Sequence, residues 1–201
     1  MKLSGSLSTR SIRVVAAAVA VVIGVGTLTS CEAVTPKVTI TYEIAFKGSP
    51  AANHQQFADH VAKTLADGRG WTMHGQIKYR KVSSGAQMVV WLVQENHMAD
   101  FGPPCMYLWS CRSGKNVAIN DTRWRTATPT WSLGLDNYQH YVVEHEVGHW
   151  MGQSHASCGG AGQAAPVMMQ QSKGVAPCKN QVWPLLWERK QVAARWGVSV
   201  G

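Results

Sequence analysis

The stretch His145-Glu146-Val147-Gly148-His149-Trp150-Met151-Gly152-Gln153-Ser154-His155 decides how the rest of this chain is read. It closes a segment, 138–151, whose spacing predicts a helix. Residues four apart on a helix stand one above the other, so His145 and His149 can turn their imidazoles toward a single cation. Gly152 follows where the helix has to bend, and glycine takes a left-handed conformation at little cost. His155 lies past that bend and offers a third imidazole. Three imidazoles with a vacant fourth position form a ligand set that suits Zn2+ and leaves room for water or substrate. Glu146 directly follows the first of these histidines, beside the metal rather than on it. A carboxylate there can take a proton from the water in the open position and pass it to a leaving amine.

The pattern is H-E-x-x-H-x-x-G-x-x-H, and through it the chain resembles the metzincin metalloproteases. That resemblance implies a methionine turn beneath the metal. The run Ala165-Pro166-Val167-Met168-Met169-Gln170-Gln171 starts ten residues after His155, with Met168 the best match and Met169 the reserve. Further segments are similar to an actinobacterial family of exported metzincin-like domains of unassigned function. They are the run from His140 to His149, Ala165-Pro166-Val167-Met168, Gly174 through Cys178 to Trp183-Pro184, Val117-Ala118-Ile119-Asn120 with Trp124, and Ala66-Asp67 with Gly70-Trp71. The similarity spans most of residues 38–184. Glu144 departs from it where Asn is expected, and Met169 replaces a Gln.

The resemblance implies an α+β fold with a twisted, mostly parallel sheet, an antiparallel edge strand, a zinc helix, the Met-turn and a C-terminal helix. It also implies a peptide lying extended along the sheet edge, near residues 106–111. Some metzincins place a Tyr shortly after the Met-turn to stabilise the oxyanion, and none follows Met168 here. Tyr138 and Tyr141 are the substitutes, against a packing role for both.

The rest of the sequence supports the same class of fold. Val38, Ile40, Tyr42, Ile44 and Phe46 alternate, as one face of a half-buried strand does. Phe57, Val61 and Leu65 form the apolar stripe of a helix over 51–66, stopped by Gly68 and Gly70. Strands are expected over 77–82 and 87–94, and a hairpin joins 106–111 to 116–120 across Ser113-Gly114. A long loop then holds Trp124 and Trp131, and a final helix runs over 185–196 after Pro184. That order of elements predicts an α+β domain over 38–201.

The first thirty residues belong elsewhere. Lys2, Arg10 and Arg13 precede an apolar run over 14–25, which turns small and polar at Gly26, Thr27, Thr29 and Ser30. That layout is a bacterial-type secretion signal over residues 1–30. Leu28-Thr29-Ser30-Cys31 resembles a lipobox, in which Cys31 would be lipidated and become the mature N-terminus, with 31–37 a short linker. An ordinary signal cleaved nearby is the alternative. The apolar run falls short of the ~20 residues that span a bilayer.

Setting Cys31 aside, Cys105, Cys111, Cys158 and Cys178 suggest two disulfides in an exported domain. Three pairings are open, and Cys105–Cys111 with Cys158–Cys178 is the simplest. The net charge is +8, and +5 without the three basic residues of the signal. Its scatter excludes a basic stripe of the kind that binds nucleic acid. His54 and His60 fall on a polar helix face, while His74, His97 and His140 are expected to be structural or surface residues. Asp136 and Glu144 are candidates for orienting a ligand histidine.

Together these readings give an exported zinc-dependent peptidase in which Glu146 activates a zinc-bound water. It is expected to act as a monomer on a peptide or protein, at the extracytoplasmic membrane face through its lipidated N-terminus, or as a secreted form. The alternatives are a cell-wall amidase-type zinc hydrolase and a non-catalytic zinc-containing surface lipoprotein.

Overall fold

The computed structural model describes Met1, Lys2, Gly5 and residues 34–106 and 108–200. The chain divides into two compact units, Met1–Glu32 and Ala33–Gly201, and the fold below is that of the second. The secretion-signal and lipobox readings, Cys31 included, rest on residues that lie almost wholly outside those described.

Five strands form one sheet: β1 (Val38–Lys47), β2 (Ile77–Lys81), β3 (Met88–Val93), β4 (Cys111–Ser113) and β5 (Asn116–Asn120). Their order is β2-β1-β3-β5-β4. All pairings are parallel except β4 with β5, so the sheet is mostly parallel with an antiparallel edge. Among the described residues four α-helices accompany it: α1 (His54–Ala66), α2 (Asp121–Thr126), α3 (Leu135–Trp150) and α4 (Leu186–Trp196). The α+β expectation and its antiparallel edge hold.

Strand β3 shows why its apolar run is unbroken. Met88, Val90 and Leu92 face the main core, with Ile40, Tyr42, Val117 and Ile119 from neighbouring strands and Phe57, Val61, Val143 and Val147 from α1 and α3. Val93 joins a smaller cluster with Met98, Cys105, Cys111 and Ala118, and Trp91 packs against it. Both faces are therefore covered, as the strands of a parallel sheet require.

Three expectations need correction. Met106 and residues 108–110 are not a strand, and the edge is confined to Cys111–Ser113. The cause is covalent: Cys105 is bonded to Cys111 with their Cα atoms 5.3 Å apart. An extended run between them would span roughly 20 Å, so the intervening residues must loop. The long loop after β5 opens with a helix, α2, because the Asn120 side chain accepts from Arg123 N (3.1 Å) and caps it. The first helix begins at His54 rather than at 51, because Asn53 caps it by accepting from Gln56 N (2.9 Å).

Candidate metal centre

Helix α3 carries His145 and His149 on one face, and their ring centroids are 4.8 Å apart. After α3 ends, Gly152 turns the chain with φ +96°. A side chain there would also strike Arg195 of α4, since a Cβ would lie 2.5 Å from its Nε. The turn delivers His155, whose ring lies 5.4 Å from that of His145 and 4.6 Å from that of His149.

The hydrogen bonds fix which nitrogens face inward. Nδ1 of His145 donates to the Val167 carbonyl (2.7 Å), and Nδ1 of His149 donates to the Gln153 carbonyl (2.9 Å). A neutral imidazole carries one N–H, so each of these rings keeps a lone pair on Nε2. The Nε2 atoms of His149 and His155 are 3.1 Å apart. Two ligands at ~2.05 Å on a tetrahedral zinc stand ~3.3 Å apart. The donor set therefore fits a metal ion of that size. Burial first, and then the neighbouring His149, hold His145 near pKa 3, so the ring stays unprotonated and ready to ligate. His149 and His155 are shifted down as well, chiefly by burial.

Glu146 is 5 % exposed and lines the same cleft, which has a volume of about 500 Å³. Burial raises its carboxyl to about 8. The cleft runs past Cys111 and Arg112 of the edge strand, Trp109, the three histidines, and Lys173. Arg112 reaches across from β4 and donates to the His149 carbonyl through Nη2 (3.0 Å) and Nε (3.3 Å). The edge strand is thereby tied to the last turn of α3, where a cation also offsets the helix dipole.

A methionine packs against α3 at Gly148. Met168 is 1 % exposed, and its sulfur packs so close to α3 that a Cβ on Gly148 would lie 2.3 Å from it. Glycine at that position is a packing requirement. The backbone of this turn is held by Glu188 of α4, a fully buried carboxylate. It accepts from Val167 N (3.0 Å), Met168 N (2.9 Å) and Leu185 N (2.7 Å). Burial raises the Glu188 carboxyl, and the three N–H donors oppose that rise. Cys158 and Cys178 are bonded across the same loop, 20 residues apart.

Several candidates of the sequence reading fall elsewhere. Tyr141 donates its hydroxyl to the Met169 carbonyl (2.9 Å) and accepts from Gln171 N (2.9 Å), and the Tyr138 hydroxyl pairs with Ser172 Oγ (3.0 Å). Both line the cleft, but their hydroxyls are engaged in packing the turn. Asp136 and Glu144 do not orient the ligand histidines, since backbone carbonyls hold His145 and His149. Glu144 is buried beside Gly70, and burial, with Asp67 nearby, pushes its carboxyl well above the ordinary range. Asp136 instead faces His60 and His140. Sequence reasoning missed Arg112, Glu188 and the two orienting carbonyls. Glu188 had a visible signal, a Glu four residues after Pro184 in an amphipathic segment, but nothing in it pointed to the metal.

A family model described as "Protein of unknown function (DUF3152)" matches residues 13–189. No curated protein matches the chain in sequence. Among solved structures, it is similar to an archaemetzincin from Methanopyrus kandleri at 11% identity and a TM-score of 0.47, over 79% of this chain and 96% of that one. It is also similar to myroilysin at 18% identity and a TM-score of 0.34, over 64% of this chain and 47% of that one.

Proposed function

The chain belongs to the DUF3152 family, and on that premise we propose that it is an exported zinc-dependent peptidase. The observation that carries this reading is the convergence of His145, His149 and His155 with two Nδ1 atoms committed to backbone carbonyls, beside a buried Glu146 in an open cleft. When bound there, zinc supplies Lewis acidity that makes water a nucleophile near neutral pH.

The chain's own residues do the rest. Glu146 accepts the proton that the attacking water loses, and its carboxyl then donates that proton to the amide nitrogen as the C–N bond breaks. A carboxyl raised by burial holds a proton more firmly than an exposed one, which suits the second of these steps. The peptide lies extended beside Cys111–Ser113, pairing with the edge strand as a further strand would. Arg112 fixes that edge against α3, so the scissile bond and the histidines keep one spacing. Export is supported by the two disulfides, which persist in oxidising compartments, and by the signal-like N-terminus. On this reading the N-terminus is anchored through a lipidated Cys31, and fatty-acid labelling of the producing bacterium should mark that residue. An unlabelled, soluble mature form would refute the anchor.

The deciding experiment digests an unbiased peptide library with wild-type protein and with E146Q, with zinc measured in both. Wild type should cleave, and E146Q should hold about one zinc in this centre and lose at least ~10³-fold in turnover. Undiminished cleavage by E146Q refutes the role of Glu146. Cleavage of cell-wall stem peptides or acylated amides, with the peptide library left intact, assigns the site to an amidase instead.

A further inference from the structure

A second group of metal-capable side chains lies on the other end of α3. His140 and Asp136 are four residues apart on that helix, and His60 comes from α1. The ligand atoms of the three lie within 4.8 Å of one another. The rings of His60 and His140 are 4.2 Å apart, with Trp183 5.0 Å from His140 and Trp124 5.2 Å from His60. Asp136 is 71% exposed, and His60 and His140 are 12% and 5% exposed. The two imidazoles are therefore buried among aromatic rings, and Asp136 forms the wet side of the group.

The hydrogen bonds around it leave a gap. Thr64 Oγ1 donates its single proton to the His60 carbonyl (2.8 Å). The same oxygen lies 2.7 Å from His140 Nδ1 and can only accept there, so His140 carries its proton on Nδ1. Its Nε2 is left with a lone pair, 3.8 Å from the Asp136 carboxylate. Two acceptors thus face each other with no proton between them. On the other side, His60 Nδ1 is 3.7 Å from Asp136 Oδ1, too far for a hydrogen bond, and His60 Nε2 is buried without a partner. A cation bound by all three would satisfy the His140 lone pair and the carboxylate together. With His60 ligating through Nδ1, its N–H would sit on Nε2, and the ring already stands at 90° to that of Trp124. Ligands at ~2.0–2.2 Å lie ~3–3.5 Å apart, so the three donors draw together on binding, with Asp136 closing in from the exposed side.

We propose that His60, Asp136 and His140 form a second metal centre, specific for a divalent transition ion of the zinc class and separate from the cleft. Two imidazoles and a carboxylate, completed by water on the Asp136 side, are a ligand set for such ions. The site bridges α1 to the start of α3.

The test separates this centre from the first one. Metal-stripped protein is titrated with Zn2+ by calorimetry, and bound zinc is counted after dialysis. In the H149A/H155A variant, which lacks two ligands of the cleft, one equivalent should remain. Adding D136A, at an exposed position that cannot disturb the core, should weaken that equivalent at least ~10-fold, and H60Q should do the same. In the Co2+-loaded H149A/H155A protein, the visible absorption should also disappear on adding D136A. No bound zinc in folded H149A/H155A would overturn the proposal, as would an equivalent that survives both D136A and H60Q. Peptidase activity is not needed for any of these readouts, so failure of the proposed function would leave the result interpretable.

Discussion

Replacing Glu188 by Ala removes the acceptor of three backbone N–H groups at once. Leu185 N is at the entry of α4 and can be hydrated, whereas Val167 N and Met168 N are buried. Hydrogen bonds to a charged partner contribute ~1.5–3 kcal/mol each, and a buried donor left unsatisfied costs a similar amount. Two such donors give a loss of ~4 kcal/mol, a large part of the ~5–15 kcal/mol that holds a domain folded. With a urea m-value of ~2 kcal/mol/M, the midpoint should fall by ~2 M. The same bonds hold Val167, whose carbonyl orients His145, so zinc affinity should fall with stability. E188Q keeps one oxygen and should lose about half as much, because its amide NH2 then meets an N–H donor. Urea unfolding of the three proteins at pH 7, with bound zinc counted before each melt, is the assay. An E188A midpoint within ~0.3 M of wild type, with zinc still bound, would show that α4 does not hold the turn.

Three other perturbations read different parts of the site. G148A places a Cβ 2.3 Å from Met168 Sδ and 3.0 Å from Trp71 Cζ2; it should destabilise by ~1–2 kcal/mol despite the ~1 kcal/mol that Ala gains over Gly in a helix. M168A should cost less in the G148A background than in wild type, and additive costs would argue against the clash. Burial raises Glu146 to about 8, above its unfolded range, so in metal-free protein its contribution is complete at low pH and is lost as pH rises toward 8. The urea-midpoint difference between wild type and E146Q should therefore shrink or reverse in that direction from pH 5 to pH 8, and a constant difference would contradict the buried carboxyl. Removing the Cys158–Cys178 bond with C158A/C178A should cost ~3 kcal/mol by loop closure; an unchanged thermal midpoint would mean that the loop is rigid without it.

What the sequence made legible was what repeats with a short period. The alternation over β1, the two-sided apolar run of β3 and the i, i+4 histidines of α3 each depend on a few neighbouring residues, and each gave the element that folds there. The approach to the edge strand was misread because a bond between Cys105 and Cys111 overrides the strand preference of the residues between them. Helix α2 was hidden because its start rests on a cap, Asn120, that doubles as the last residue of β5. The ligand spacing of the site could be seen in the chain, while the groups that orient it could not. Backbone carbonyls at Val167 and Gln153 carry no side-chain signature. Glu188, Arg112 and the meeting of His60 with His140 depend on packing between elements distant in sequence. His60 looked solvated on its own helix, and the approach of His140 from α3 and of Trp124 from α2 buries it.

The carboxylate that braces the methionine turn comes 42 residues after Glu146, on the final helix. A chain ending before α4 would keep all three imidazoles yet lose the group that fixes Val167, whose carbonyl in turn orients His145. The aim of the first imidazole is thus set from the far end of the polypeptide.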